Sequence, residues 1–279
     1  MPMATLKQVL DPALRDGYAV AGLVVLGWEE ARAYVHAGEA EGVPVILQAG
    51  PGCRKHTPLP VLASMFRSLG ERASVPVVAH LDHGYTAEEC REAIECGFTS
   101  VMFDGSRKPL AQNVEETAYI AEMAHAAGVS IEGEVGFVGY DAGEASEGTT
   151  VEEARTFAAR AGVDAMAISV GNVHLQQSQA AEIDHARLKE IEAVTGDLPL
   201  VIHGGSGVPS DVRRDLAANS HVCKFNIGTE LRMAFGKALR EAVNSDPDRF
   251  DRAAILSETE PAVVDATRRV LREFDTPNW

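Results

Sequence analysis

Nothing in this chain is suited to crossing a membrane or coating a nucleic acid. The apolar run AVAGLVVLGW is interrupted by glycines and falls short of the roughly 20 residues a bilayer-spanning helix needs. The opening MPMATLKQVL lacks the charged-then-apolar design of a secretory signal, so a cytoplasmic protein is expected. Lysine and arginine total 25 against 41 acidic residues, and no basic block is long enough to neutralise a run of phosphates. Nucleic acid is thereby excluded as an expected partner. The same acidic surplus means that an anionic small molecule would have to be held locally, by backbone N–H groups in glycine-rich loops and at helix N-termini. Cysteine is scarce: Cys53, Cys90, Cys96 and Cys223 stand without CxxC spacing, which excludes a cysteine zinc site or a disulfide framework and suits reduced thiols. Low-complexity linkers and breaks in composition are missing too. With 46% hydrophobic residues, positions 1–279 are expected to form a single domain with a full core.

What the chain does have is alternation. Short β-branched runs at 18–26, 43–49, 75–82, 98–104, 129–135, 163–170, 198–204 and 221–227 read as strands. Amphipathic stretches of helical period separate them at 28–41, 58–73, 86–95, 109–127, 150–161, 184–195 and 209–219, with another at 229–244 and more helix to the C-terminus. Eight β–α units in about 250 residues are the arithmetic of a TIM (β/α)8 barrel, here with additional C-terminal helices, rather than of a doubly wound sheet.

A barrel collects its functional groups at the C-terminal ends of its strands. Polar residues fall there repeatedly: His80, Asp82 and His83 at the third strand, Asp104 at the fourth, Glu132 and Glu134 on one face of the fifth, Asn172 and His174 after the sixth, His203 at the seventh and Asn226 at the eighth. His83, His174 and His203 are three nitrogen donors that only the barrel brings together, the ligand set of a catalytic zinc ion with one open position. The stretches HGGSGVPSD and NIGTE offer backbone N–H groups, Ser206 and Thr229 after the seventh and eighth strands, where many barrels bind phosphate.

In order along the chain, HLDHG, SVMFDGS, IEGEVG, GNVH, HGGSGVP and KFNIGTEL resemble the motif series of class II, metal-dependent ketose-bisphosphate aldolases, tagatose/fructose-bisphosphate branch. The resemblance implies a zinc-dependent retro-aldol cleavage of a phosphorylated ketose to dihydroxyacetone phosphate and an aldehyde, by way of a metal-stabilised enediolate. It implies His83, His174 and His203 as the Zn²⁺ ligands and Glu134 as holder of a second or displaced cation, divalent or monovalent. Asp82 would be the proton-transfer residue and Asn226 would steady the enediolate. Gly204, Ser206, Gly228 and Thr229 would cradle the phosphate. A homodimer or homotetramer is expected.

Departures from the family pattern concern the substrate more than the metal. The first strand carries AGLVVLG in place of a stretch with asparagine, Leu175 follows His174 where the family has glycine, and LSETEPAVVDA brings acids where a base for a second phosphate is usual. These point to a ketose that is not a standard bisphosphate. The loop GFVGYDAGEASEG leaves Asp141, Glu144 and Glu147 open as candidates for a second proton transfer. Arg54 and Lys55, just past the second strand, could replace lost positive charge at the rim, the plainer reading being an exposed loop pair, and His56 reads as a loop histidine. Lys224 keeps a Schiff-base alternative open, and a metal-dependent hydrolase or a non-catalytic ligand-binding barrel are the readings from other classes.

Overall fold

The computed structural model describes residues 3–141 and 143–279. Eight strands lie parallel and close on themselves in chain order: β1 Val20–Val24, β2 Val45–Ala49, β3 Val77–Gly84, β4 Ser100–Phe103, β5 Ser130–Val135, β6 Ala165–Ile168, β7 Leu200–Ile202 and β8 Val222–Ile227, with β8 returning to pair with β1. Parallel neighbours cannot be joined by tight turns, so each strand is followed by a crossover helix. These are α2 Trp28–Glu41, α3 Pro51–His56 with α4 Leu59–Gly70, α5 Ala87–Cys96, α6 Leu110–Ala126, α7 Val151–Arg160, α8 His185–Thr195, α9 Ser210–Asn219 and α10 Thr229–Ser245, while α11 Arg252–Ser257 and α12 Glu260–Leu271 complete the ring.

Two helices are not among those expected. α1 Leu6–Asp16 precedes the first strand, capped by Thr5 and Gln8 in a reciprocal pair, and its stripe Leu6, Val9, Leu10 and Ala13 has the helical period. That stripe packs against Val20, Ile46, Val78, Ala165 and Val201, the inward residues at the N-terminal end of the barrel, and plugs that end. α3 begins Pro-Gly, which reads locally as a turn although Pro is well suited to the first position of a helix.

The plug makes the barrel asymmetric. Outward-facing residues such as Leu23, Leu47, Leu81, Val101, Ile131 and Phe225 bury against the helices in a continuous apolar layer. Inward-facing residues above the plug are polar: Gln48, His80, Ser100, Glu132, Glu134 and Lys224 are all buried. On β6 the positions paired with Glu132 and Glu134 are Ala165 and Ala167, whose small side chains leave room for the two carboxylates. The barrel interior therefore grades from hydrocarbon at one mouth to a polar cluster at the other.

Candidate active site

Asp82 and His83 are consecutive, and a regular strand would point them to opposite faces. Both line the same cavity, because β3 shifts register between Leu81 and Gly84 and His83 takes a left-handed φ of 52°. A strained residue of this kind persists only where its surroundings hold it. Arg54 supplies the hold. Its guanidinium donates to the carbonyls of Ala49 (2.7 Å), Asp82 (2.6 Å) and His83 (2.9 Å), with Glu89 at 3.6 Å. The expectation of an exposed loop pair is thus corrected for Arg54, whose side chain is 9% exposed, while Lys55 and His56 are exposed as expected. The residue lies in α3, whose end over β2 and β3 carries the fork inward; nothing in the local pattern RKH signals this.

His83, His174 and His203 converge as the sequence predicts. Their ring centroids lie 4.8 to 5.6 Å apart, and one ligand atom from each can be chosen so that all lie within 4.8 Å of one another. His83, Asp104 and Glu134 form a second, overlapping group of the same size. His83 Nδ1 faces Asp104 Oδ2 at 2.8 Å, which leaves Nε2 for the histidine cluster. His203 Nε2 faces Glu132 Oε1 at 2.9 Å, and its Nδ1 has no hydrogen-bond partner among the described residues. Glu134 Oε2 is equally unpartnered, 3.7 Å from His83 Nδ1 and 3.6 Å from His203 Nδ1.

The charges follow from burial and neighbours. Burial lowers the His174 pKa to about 4, helped by the charge on His83, and burial likewise holds His203 well below the ordinary imidazole range. For His83 burial pulls downward too, but Asp82, the hydrogen bond to Asp104 and the charge of Glu134 outweigh it and raise the pKa to about 10. Burial, with the nearby charge of Asp104, pushes Glu134 well above the usual carboxyl range. Buried nitrogen donors, two of them held neutral, with an orphaned nitrogen and an orphaned carboxyl oxygen beside them, fit a divalent zinc-type ion.

Around this cluster lies a cavity of about 430 Å³ at the C-terminal mouth. Asp82 accepts a hydrogen bond from Asn226 Nδ2 at 3.3 Å on its wall. Gly204 combines a φ of 65° with an approach so close that a Cβ would stand 2.1 Å from the Val173 carbonyl oxygen, so only glycine fits. The 3-10 turn Gly205–Gly207 follows it. Ser206 Oγ accepts from the N–H groups of Gly228 (3.2 Å) and Glu230 (3.4 Å), joining the two glycine loops. α10 starts at Thr229, and Gly228 and Thr229 line the cavity where that helix begins, with Ser206 taking up the N–H of Glu230 in its first turn.

Lys55 lines the cavity from α3, the rim position open to it in the sequence, whereas Arg232 and two tyrosines were missed. Arg232 stands one turn into α10, its guanidinium 3.7 Å from where a Cβ on Gly228 would lie. Tyr85 and Tyr140 line it as well, and the Tyr140 ring stacks on His174 at 5.1 Å. A reading by strand ends could have found Tyr85 and Arg232 from their place next to His83 and Thr229. Tyr140 sits on the loop after β5, which hydrogen-bonds to the backbone of His174 on both sides, through the Gly139 carbonyl and the Asp141 N–H.

The loop acids do not join the cluster. Glu144 pairs with the exposed Arg107, and Glu144 and Glu147 line a separate cavity of about 460 Å³ outside the mouth. Asn172 is a structural staple, donating to the carbonyls of Ile168 and His203. Lys224 is fully buried below the mouth, its Nζ 2.7 Å from Glu132 Oε2, which removes it from contact with a substrate carbonyl.

Residues 4–278 match the family model described as fructose-bisphosphate aldolase class-II. The chain is 34% identical over 288 aligned positions to a fructose-bisphosphate aldolase of Staphylococcus epidermidis, covering all of this chain and 99% of the relative. It is 35% identical over 282 positions to the fructose-bisphosphate aldolase of Geobacillus stearothermophilus, covering 98% and 97% of the two chains. Among solved structures, the YdjI aldolase from Escherichia coli K12 superposes with a TM-score of 0.83 at 27% identity over 98% of each chain. The fructose-bisphosphate aldolase of Campylobacter jejuni, at 22% identity and a TM-score of 0.81 over 99% and 97% of the chains, shares the fold.

Proposed function

The chain belongs to the class II fructose-bisphosphate aldolase family and is a lyase that works on carbon–carbon bonds; from that premise we propose that it cleaves a phosphorylated ketose to dihydroxyacetone phosphate and an aldehyde at the mouth bounded by His83, His174 and His203. The observation that carries this reading is the convergence of the three imidazoles beside Asp82 in one cavity. In it, His83, His174 and His203 would hold Zn²⁺, and Glu134 would be the acid able to take a second or displaced cation. Zinc, when bound, supplies the Lewis acid that carries the negative charge released as the bond breaks.

Everything else falls to the chain's own residues. Asp82, one position before a ligand and oriented by Asn226, takes the proton from the hydroxyl whose carbon becomes the aldehyde, and the carbon left behind takes up a proton to complete dihydroxyacetone phosphate. Asn226 Nδ2 is close enough to that carboxylate to steady the oxygen that gains charge beside it. Gly204, Ser206, Gly228 and Thr229 hold the phosphate of the dihydroxyacetone half through N–H and hydroxyl donors, and Arg232 adds the positive charge that the acidic surface denies it. Tyr85, Tyr140 and Lys55 face the distal half. Tight, charge-assisted placement of the phosphate is what holds the reacting carbon over the histidines.

In the first reading the distal end carries a second phosphate, met by Lys55 on the wall, a charge that a reading of LSETEPAVVDA does not count. A second reading, in which the distal end carries no phosphate, is favoured by the apolar lining Val24, Leu26 and Leu175. One assay separates them: kcat/KM for fructose and tagatose bisphosphates against ketose 1-phosphates, with and without chelator. Values for a bisphosphate of about 10⁴ M⁻¹s⁻¹ or more support the first reading. Full cleavage in verified metal-free protein would overturn the metal assignment. As an assembly, a homodimer or homotetramer fits the apolar side chains left open on and beyond α10, Met233, Val243 and the 94% exposed Phe250.

A further inference from the structure

Beneath the histidine cluster lies a buried ion pair that the reaction as described does not use. Glu132 and Lys224 have no solvent exposure, and neither touches the cavity that would hold substrate. Burying two charges in a barrel interior is costly, and hydrophobic residues of similar volume would commonly serve stability as well or better. The pair is not isolated, however. Glu132 Oε2 lies 2.7 Å from Lys224 Nζ and 3.6 Å from His80 Nε2, while Oε1 lies 2.9 Å from His203 Nε2. His80 is itself tied through Nδ1 to Ser100 Oγ at 2.8 Å.

A carboxylate paired with an ammonium group is an acceptor only, so the group facing it from His203 must be an N–H. A neutral imidazole carries one proton; if Nε2 holds it, Nδ1 bears the lone pair. His203 Nδ1 is the buried atom without a partner, and it faces the cluster with His83 and His174. Resting on the metal-site reading above, we propose that Glu132 and Lys224 are a positioning pair for the metal centre: Glu132 selects the Nε2–H tautomer of His203 and fixes its ring, and Lys224 fixes Glu132 by occupying its other oxygen.

The geometry has the logic of an outer-shell carboxylate behind a histidine ligand, whose loss typically costs 10- to 100-fold in metal affinity. Asp104 does the corresponding work for His83 through Nδ1, so the two rings are held by opposite nitrogens. Lys224 has no acceptor other than Glu132 at salt-bridge distance among the described residues, which makes it a partner of Glu132 rather than of any substrate.

The test has two readouts besides activity. Nitrogen-15 NMR of the metal-free protein should show His203 as a single Nε2–H tautomer, and competition with a chromophoric chelator should give the Zn²⁺ affinity. Removing one charge alone leaves the other buried and unpaired, so Glu132→Leu is made together with Lys224→Met, and Glu132→Met with Lys224→Leu is the second variant should the first fail to fold. The expected result is a folded barrel in which Zn²⁺ binds 10- to 100-fold more weakly and the His203 tautomers mix. Wild-type affinity with an unchanged tautomer in either variant overturns the positioning role and leaves the metal site standing. Failure of the wild-type protein to bind Zn²⁺ overturns the metal-site reading itself.

Discussion

At the scale of single residues, the site depends on His83 being in two conflicting situations. Held by Asp82, Asp104 and Glu134, its folded pKa of about 10 lies above the ordinary value near 6.5. A raised pKa stabilises the metal-free fold fully below the unfolded value, and the contribution is lost as pH climbs through about 10. An ion, though, needs the neutral ring, so it must displace the proton. Zinc uptake near pH 7 should therefore release about one proton from His83, and affinity should rise with pH. Calorimetry in buffers of different ionisation enthalpy measures that release; no proton release would mean His83 is neutral in the free protein. Asp82→Asn should retain Zn²⁺ yet lose about 10² to 10⁴ in kcat, the usual scale for a positioned proton carrier, whereas near-normal turnover would move the role elsewhere. Leu175 holds a φ of 60° with half its side chain exposed on the cavity rim. A left-handed conformation costs a branched residue about 1–2 kcal/mol, so Leu175→Gly should leave the melting temperature unchanged or raise it slightly while shifting substrate preference. A marked fall in melting temperature would show that the leucine is held by packing instead.

At the scale of elements, the junction of β2, α3 and β3 determines where Asp82 and His83 point. Three carbonyl oxygens from two strand ends share one guanidinium, a rigid fork that a lysine ammonium cannot reproduce. Arg54→Lys should thus fold with a loss of about 1–3 kcal/mol in stability. It should weaken Zn²⁺ binding as well, because the register shift that turns His83 inward would relax. Chemical denaturation and chelator competition on the same variant check both halves. Unchanged metal affinity would leave Arg54 a purely structural clamp. A similar division holds at β7 and β8, where Ser206 ties the glycine turn to the start of α10 and so fixes the two glycine loops as one unit.

At the scale of the whole molecule, the ring of helices closes where α12 meets α2, near the two ends of the chain. Glu41 on α2 receives Arg268 Nε at 2.5 Å and Arg272 Nε at 2.8 Å, and Arg32 pairs with Glu260 across the same seam. The hydrogen bonds from Arg272 and Arg268 hold the Glu41 carboxyl below its usual range despite some opposing burial. A depressed carboxyl pKa stabilises the fold above the unfolded value of about 4.5, and that contribution is lost as pH falls through the lower folded value. Glu41→Ala should cost about 1 kcal/mol at pH 7, as for a well-placed pair that is partly solvated, and less at pH 3. Melting temperatures of both proteins across that range test it; an equal difference at both pH values would assign the loss to packing.

How much of this was legible in the sequence depends on the range of the interaction that decides it. Strand and helix periods are local, so all eight strands and the eight helices between and after them were readable, and the order of polar residues at strand ends placed His83, His174, His203, Asp82 and Asn226 at one mouth. The plug helix α1 is invisible to the same reasoning because its apolar stripe becomes meaningful only once a closed barrel presents a mouth to fill. Arg54 looks like a surface charge until two strand ends stand side by side within its reach. The loop acids Glu144 and Glu147 are candidates only through the family resemblance, and the path of the loop carries them to another cavity and brings Tyr140 to the cluster instead. Residue types and periods determined the barrel and its chemistry. The register shift at His83, the burial of Glu132 with Lys224 and the direction of each imidazole nitrogen belong to tertiary structure, because each is set by partners that lie tens of residues away in the chain and within 4 Å in space.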